Sequence, residues 1–196
     1  MGKIFCLMGK SASGKDTIYN RLLQSEELNL HHVILYTTRP IRSGERDGET
    51  YFFCTDQQAC EMEAAGKVIE MRAYHTMHGV WKYFTADDGQ IDLTSEASYL
   101  MIGTLEAYEK IRDYFGQDKV LPIYIHVDDG LRLSRALERE RAQAEPKYAE
   151  LCRRFLADEE DFSEEKRRAL GIRKMFENEC LEETVKTITA YMKGVC

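Results

Sequence analysis

The sequence predicts an α/β fold in which helices cover both faces of a parallel β-sheet. Short apolar runs, typical of buried strands, alternate along the chain with amphipathic helical stretches. The first run, Lys3–Met8, is apolar after its lysine and stops at Gly9, which is typical of a strand buried on both faces. The runs Tyr99–Ile102 and Leu121–Val127 flank a helical stretch from Leu105 to Phe115. A strand, a helix and a second strand in this order indicate a parallel pair with a crossover helix.

Other elements follow from the same patterns. An amphipathic helix is predicted from Asp16 to Leu23, directly after a glycine-rich turn, because its apolar residues recur at helical spacing. Val33–Tyr36 is a further strand candidate, and Leu181–Met192 is predicted to form a final amphipathic helix.

The segment from residue 37 to residue 88 interrupts the alternation of strands and helices. It is rich in Gly, Thr, Tyr and charge, and it has short β-like pieces at Tyr51–Phe53, Val68–Tyr74 and Val80–Thr85. We therefore predict an inserted, mostly β subdomain.

The segment 139–161 is dense in charge and has few apolar residues. This composition suits a mobile helical lid, although it is equally typical of a solvated helix face. With these two insertions, the chain is predicted to form a single domain over residues 1–196, with its core in 1–36, 89–138 and 162–196.

Composition limits the partners that the protein can have. The 196 residues include 34 acidic and 27 basic ones, so the overall field would repel nucleic acid and membrane surfaces. Six cysteines form no CxxC pair, no signal peptide precedes the first strand, and no apolar run approaches the length of a membrane span. We expect a cytoplasmic protein with reduced thiols that acts as a monomer or a homodimer.

A glycine-rich loop carries the strongest functional signal. Gly9 to Lys15 matches GxxxxGK, and the match lies between a predicted strand and a predicted helix. The glycines allow backbone N–H groups to point at phosphate oxygens, and Lys15 can reach the terminal phosphates of a nucleoside triphosphate. The core is therefore predicted to be of the P-loop NTPase type. The residues predicted to bind the nucleotide here are Gly9, Ser11, Ala12, Ser13, Gly14, Lys15, Asp16 and Thr17.

Asp16 stands where this motif has a Ser or Thr that binds magnesium. Its carboxylate can bind Mg²⁺ directly or through water, because hard oxygen ligands suit that ion. The alternative is that Asp16 is only a first-turn acid that the helix dipole favours.

A long stretch from Thr37 to Phe53, TTRPIRSGERDGETYFF, resembles the TTRxxRxGExxGxxYxF signature of the guanylate kinase family. The resemblance covers most of the chain and implies Mg²⁺-dependent transfer of a phosphoryl group from ATP to GMP. By position, Arg39 and Arg42 would clamp the acceptor phosphate, Tyr51 would donate its hydroxyl to it, and Glu45 would orient the arginines. Paired guanidinium groups are well suited to a phosphate dianion.

Further residues match the family in the expected order. Glu70 resembles its acidic residue near the guanine base, while Tyr83 and Thr85 would bind the acceptor phosphate and the guanine.

The lid and the adenine side are matched as well. Arg154 resembles the lid arginine that reaches the transferring phosphoryl group, and Arg135 or Arg139 could supply a second. Asn178 matches an asparagine near the adenine. The resemblance thus implies that Lys15, Arg42 and Arg154 are the catalytic residues.

The chain also departs from the family at the predicted base pocket. Leu35 and Tyr36 replace serines before the TTR motif, and Ile102-Gly103-Thr104 replaces an Asp-x-Asp motif. These changes remove polar contacts to guanine or magnesium, which Asp16 or Glu106 could replace on the metal side.

Two alternative functions remain at this point. The N-terminal stretch, with Asp after the loop lysine, also resembles ribose 1,5-bisphosphate phosphokinases, but that family lacks the complete TTR motif found here. A non-catalytic guanylate kinase-like module that binds protein partners is the other alternative. Such modules generally have degraded phosphate loops, whereas Gly9, Gly14 and Lys15 are intact here.

Overall fold

The structure, a computed structural model, describes residues 2–76 and 79–195. Among these residues the chain forms nine strands: β1 (Ile4–Met8), β2 (Leu30–His32), β3 (Tyr36–Thr37), β4 (Phe52–Phe53), β5 (Val68–Thr76), β6 (Gly79–Ala86), β7 (Ser98–Ile102), β8 (Val120–His126) and β9 (Met175–Glu177). The same residues form seven helices: α1 (Lys15–Leu23), α2 (Asp56–Ala64), α3 (Leu105–Phe115), α4 (Asp129–Arg141), α5 (Tyr148–Asp161), α6 (Glu164–Ala169) and α7 (Leu181–Val195).

The central sheet confirms the predicted α/β class. It has five strands in the order β2-β7-β1-β8-β9, and all neighbouring pairs are parallel. Every side chain of β1 is fully buried. Ile4, Cys6 and Met8 pack on one face with α3, whereas Phe5 and Leu7 pack on the other with α1 and α7. Helices therefore cover both faces of the sheet, which explains the continuous apolar run of this strand.

A second sheet lies beside the first, in the order β4-β3-β6-β5. The antiparallel pair of β5 and β6 forms most of it, with Glu70 opposite Thr85, Arg72 opposite Tyr83, and Tyr74 opposite Trp81. Because alternate residues of a strand share a face, these six side chains lie on the same face of the pair.

One element prediction was wrong, and some elements were not predicted. Val33–Tyr36 is not one strand, because the chain crosses there from β2 of the first sheet to β3 of the second. The backbone of Ile34 bonds the side chain of Gln90, through Ile34 N to Oε1 at 2.9 Å and Nε2 to Ile34 O at 3.1 Å, instead of a neighbouring strand. The predicted β subdomain contains a helix, α2, which begins with a capping box between Thr55 and Gln58. Strand β9 was not predicted.

No helix among residues 2–76 and 79–195 is both long enough and apolar enough to span a membrane. The five cysteines of the described part of the chain are free thiols, and Cys196 lies outside the described residues. Burial raises the pKa of the Cys6 thiol to about 12.

The buried strand β8 offers a test of the packing. Ile123 is fully buried between β1 and the helices, so Ile123→Ala should lower the free energy of unfolding by about 2–5 kcal/mol through lost burial and a residual cavity. Leu156 is 69% exposed, and Leu156→Ala should change stability by less than about 0.5 kcal/mol. Urea denaturation measures both, and equal effects would contradict this packing.

Candidate active site

The phosphate loop joins β1 to α1, and the side chain of one asparagine donates a hydrogen bond to its backbone. Asn178 is buried, and its Nδ2 donates to the carbonyl oxygen of Ser13 at 2.8 Å. Gly14 has a φ of +83°, and a Cβ there would lie 2.4 Å from the same Nδ2 atom. Only glycine fits this position, because the backbone is left-handed and the asparagine approaches closely. Asn178 and Gly14 therefore determine the backbone conformation at this end of the loop.

A buried hydroxyl in the loop lacks a partner. Ser13 Oγ is inaccessible to solvent and has no hydrogen bond to any described residue. Leaving a buried polar group unpaired is costly, so this hydroxyl lowers the stability of the loop. Because the atom has no accessible surface, a ligand bound outside the loop does not reach it. Ala12, with a φ of +62°, adds local backbone strain of the kind found at ligand sites.

Helix α5, which lies in the segment predicted to be a lid, contacts this loop through its carboxylates. The N–H of Ser11 donates to Asp158 Oδ2 at 2.7 Å, and Lys10 Nζ lies 2.6 Å from both oxygens of Glu159. Arg132 of α4 lies between the two segments with a side chain that is 1% exposed. It donates to Ser11 O, Asp158 and Glu159 at 3.1, 3.3 and 2.7 Å. The carboxylate of Asp158 therefore already accepts a hydrogen bond from one backbone N–H group of the phosphate loop.

A cavity of about 840 Å³ lies between the loop, the second sheet and the lid. Lys15 and Asp16 line it on the loop side, and Tyr51 and Tyr83 line it on the side of the second sheet. Arg154 of α5 also lines it and forms an ion pair with Glu150 at 3.2 Å. The cavity thus brings together residues that are far apart in sequence and that were predicted to bind two different phosphates.

Arg39 is a buried arginine that does not itself line the cavity but contacts Tyr51 and Tyr83, which do. Arg39 binds Glu45 in a bidentate pair, with N–O distances of 2.9 and 2.7 Å, and its Nε donates to Tyr83 Oη at 3.1 Å. Its guanidinium also lies 5.6 Å from the ring centroids of Tyr51 and Phe53. The hydrogen bond from Arg39 lowers the pKa of Glu45, so the pair is charged. Glu45 also accepts the backbone N–H of Arg42 at 2.8 Å.

The side chain of Arg42 is exposed and less constrained by hydrogen bonds than that of Arg39. The Arg42 guanidinium makes no hydrogen bond or ion pair with the residues that the structure describes. Four of the five N–H groups of Arg39 are used by Pro40, Glu45 and Tyr83. The two arginines of the motif therefore have different surroundings, one fixed and one available to a ligand.

Glu70 and Thr85 lie together but do not line the cavity. Both are buried, and Thr85 Oγ1 donates to Glu70 Oε1 at 2.9 Å. Arg72 covers the carboxylate, donating from Nε to Oε2 at 3.0 Å and from Nη2 to Oε1 at 3.2 Å, and it does line the cavity. Burial works against the charge of Arg72, but its interactions with Glu70, Tyr74 and Cys6 together outweigh burial and raise the pKa of Arg72.

The remaining predicted residues surround a smaller cavity of about 190 Å³ on the other side of the loop. It is lined by Ala12, Gly14, Lys15, Asp16, Thr17, Arg135 and Arg139. Arg135 also donates to the carbonyl oxygen of Asn178 at 3.1 Å. Two predicted lid arginines thus lie near the phosphate loop. Asn178 lines neither this cavity nor the larger one and contacts the backbone of the loop at Ser13.

The comparisons with known proteins agree with this arrangement. The family model described as "Guanylate kinase" matches residues 1–194. The chain belongs to the guanylate kinase family.

Curated relatives of this family member share about three residues in ten with it. Guanylate kinase of Wolbachia sp. subsp. Brugia malayi is 30% identical over 63% of this chain and 61% of the relative. That of Porphyromonas gingivalis is 28% identical over 64% and 65% of the two chains, so these two matches span less than two thirds of the relatives' length. That of Nitrosomonas europaea is 29% identical over 83% and 77%.

A solved guanylate kinase from Anaplasma phagocytophilum has the same fold. It superposes with a TM-score of 0.71 over 98% of this chain and 85% of its own, at 18% sequence identity. The agreement extends over nearly the whole length of this guanylate kinase family member.

Asp16 fits a magnesium site of the kind that uses substrate oxygens. The carboxylate is exposed beside Lys15 and lines both cavities. Among the described residues, no group of three or more His, Cys, Asp or Glu side chains could hold a metal ion. Mg²⁺ is commonly bound by one or two carboxylates together with the phosphates of a nucleotide, and this donor set is consistent with that arrangement.

Three contacting residues were not predicted from the sequence: Arg72, Arg132 and Asp158. Arg72 had a usable signal, because it lies two residues after Glu70 on a predicted strand and so must share its face. Arg132 and Asp158 had none, since both lie in charge-rich helices where any of several residues could face the loop.

Arg132 allows a test of the contact between lid and loop. Arg132→Met should lower the free energy of unfolding by about 3 kcal/mol, because Asp158 and Glu159 would lose their buried partner. Lys110 forms an exposed ion pair with Glu106, and Lys110→Ala should cost less than about 0.5 kcal/mol. Thermal or urea unfolding measures both variants. An Arg132→Met protein as stable as the parent would show that the network adds nothing to the fold.

Proposed function

We propose that this guanylate kinase family member transfers the γ-phosphoryl group of ATP to the phosphate of GMP. One observation supports this more than any other. A single cavity is lined by Lys15 of the phosphate loop on one side and by Tyr51 and Tyr83 of the acceptor motif on the other. Two phosphorylated ligands can meet there with their phosphates adjacent, as phosphoryl transfer requires.

On the donor side, the loop amides and Lys15 would hold the β- and γ-phosphates of ATP. Asp16 would hold Mg²⁺, which neutralises charge on the transferring phosphoryl group when it is bound. Ser13 would contribute through the loop backbone, because its hydroxyl has no accessible surface. Gly9, Ser11, Ala12, Gly14 and Thr17 would complete this part of the site.

On the acceptor side, Arg42 and Tyr51 would bind the GMP phosphate, while Arg39 would supply its remaining N–H. Burial raises the pKa of Tyr51, which keeps its hydroxyl protonated and able to donate. The Glu45 carboxylate would keep both arginines oriented, since it binds the side chain of Arg39 and the backbone of Arg42. The attacking phosphate oxygen is already anionic, so positioning and charge neutralisation carry the reaction.

The lid would supply the remaining positive charge. Arg154 lines the cavity with Lys15, and Arg135 and Arg139 lie beside the loop, so a small movement of α4 and α5 would bring them to the transferring group. Asp158 must leave the N–H of Ser11 when a phosphate binds there, which couples nucleotide binding to the position of the lid.

Other parts of the proposal rest on the sequence. The segments 37–88 and 139–161 would act as acceptor-binding subdomain and lid, with Glu70 and Thr85 near the base and Asn178 near the adenine. A cytoplasmic location, a monomeric or homodimeric state, and the absence of nucleic acid and membrane partners stay predictions.

Lys15 provides the first test. Lys15→Ala should reduce turnover of GMP with Mg-ATP by at least about 100-fold, because the lysine neutralises the terminal phosphates. Lys186 is exposed on α7, and Lys186→Ala should leave turnover unchanged. A coupled assay of ADP release measures both, with circular dichroism as a control for folding. Full activity in Lys15→Ala would refute the donor site, and parent protein that binds no ATP would favour a non-catalytic binding module.

Arg42 tests the acceptor site. Arg42→Ala should raise the KM for GMP by about 10- to 100-fold, as expected for one charge-assisted hydrogen bond to a phosphate, and leave the KM for ATP within about twofold. Arg46 lies four residues further on with a side chain that is 77% exposed, and Arg46→Ala should change neither constant. Initial-rate kinetics with each substrate varied separates the two sites. Equal changes in both KM values would argue against an acceptor role.

A further inference from the structure

The end of the cavity predicted to hold the base presents a guanidinium rather than a carboxylate. The Glu70 side chain has no exposed surface, while that of Arg72, which covers it, is 14% exposed. Both oxygens of Glu70 already accept hydrogen bonds, from Arg72 and from Thr85. A ligand in the cavity therefore meets the N–H groups of Arg72, not the oxygens of Glu70.

The sheet fixes where Arg72 lies relative to the acceptor phosphate. Arg72 is directly opposite Tyr83 in the antiparallel pair of β5 and β6, and Tyr83 Oη accepts from Arg39 at 3.1 Å. Facing residues of such a pair have Cβ atoms about 5 Å apart. The Arg72 guanidinium is bonded to Glu70, which with Thr85 forms the next pair along the same face, so it is directed away from the level of Tyr83. A nucleotide with its phosphate near Arg39 and Tyr83 would extend its base along this face toward that guanidinium.

The part of the neighbouring wall that follows β7 carries no charged side chain, whereas Asp161 of α5 lines both this cavity and the adjoining one together with Arg72 and Thr104. Ile102, Gly103 and Thr104, which follow the central strand β7, line the same cavity. Gly103 packs on the core so closely that a Cβ there would lie 2.9 Å from Cys6 Sγ. A larger side chain could enter this position only if the core moved, so Arg72 is the charged group that the sheet presents at this end.

A guanidinium can bind only those base edges that offer hydrogen-bond acceptors. Arg72 uses two N–H groups on Glu70 and keeps three, and arginine has no acceptor atom. A 6-oxopurine offers two acceptors on one edge, O6 and N7, in the spacing that an arginine binds with two hydrogen bonds. Adenine offers N7 beside an amino group, which is a donor and would face the donors of Arg72.

We propose that Arg72 determines acceptor specificity by binding the O6 and N7 edge of a 6-oxopurine nucleotide. This inference rests on the proposed function, because it concerns the acceptor of the same reaction. An arginine and a carboxylate at this position would select different bases. Glu70 would read the N1–H and the 2-amino group of guanine, whereas Arg72 reads neither. The enzyme therefore accepts inosine monophosphate, which has no 2-amino group, about as well as GMP.

The test compares kcat/KM for GMP, inosine monophosphate and AMP with Mg-ATP in the full chain. We expect the first two to agree within about threefold and AMP to be at least about 10-fold lower, as the mismatch of one bidentate contact predicts. Arg72→Ala should lower kcat/KM for both 6-oxopurines by about 10- to 100-fold, mainly through KM, and change AMP by less than about threefold. Arg46→Ala is the matched control and should change none of the three ratios.

Arg72→Lys guards against misfolding, since a lysine can still pair with Glu70 but donates from a single point. Arg72→Lys should lower kcat/KM for GMP and kcat/KM for inosine monophosphate by the same factor. If GMP is phosphorylated but kcat/KM for inosine monophosphate is more than about 10-fold lower than for GMP, this inference alone is overturned. Recognition of the base would then be assigned to Glu70. Equal losses on all three acceptors in Arg72→Ala and Arg72→Lys would also overturn it, because they indicate a structural ion pair. No phosphorylation of any acceptor would overturn the proposed function as well.

Discussion

The complete burial of β1 is the constraint on which the rest of this structure depends. Its five side chains pack alternately on the two helical layers, so the strand has no freedom to shift or rotate. The phosphate loop begins where this strand ends and is held by Asn178, itself placed by the bond from its N–H to His126 O at the end of β8. The loop geometry is therefore a consequence of core packing, and loop and core cannot change independently.

A second theme is how an acidic protein builds sites for anions. The chain carries a formal net charge of −7, so no general field attracts phosphates, and positive charge must be placed locally. It does this by pairing buried arginines with its own carboxylates: Arg39 with Glu45, Arg72 with Glu70, and Arg132 with Asp158. The pairs of Arg39 and Arg72 fix the direction of their remaining N–H groups, which reduces the entropy lost when a ligand binds, whereas all five N–H groups of Arg132 are used within the protein. Arg42, without such a partner among the described residues, keeps the freedom to follow a ligand.

The sequence anticipated those parts of the fold that depend on local pattern. Strands β1, β7 and β8 and helices α1 and α3 were predicted within one or two residues, because burial imposes continuous apolar runs and helices impose their own period. The error at Val33–Tyr36 arose where the chain leaves one sheet for another, an event that a local apolar run cannot reveal. Strand β9 was missed because its three residues are too short to show a pattern.

The sequence by itself determined the phosphate loop and the acceptor motif, because their residues are close together along the chain and their spacing carries the chemistry. Only the tertiary structure decided which of these residues meet. The register of β5 and β6 sets Arg72 opposite Tyr83 and over Glu70, and the packing of α4 and α5 sets Asp158 against Ser11. Such contacts join residues as much as 147 positions apart, and their partners are chosen by register and helix packing, which no local spacing encodes.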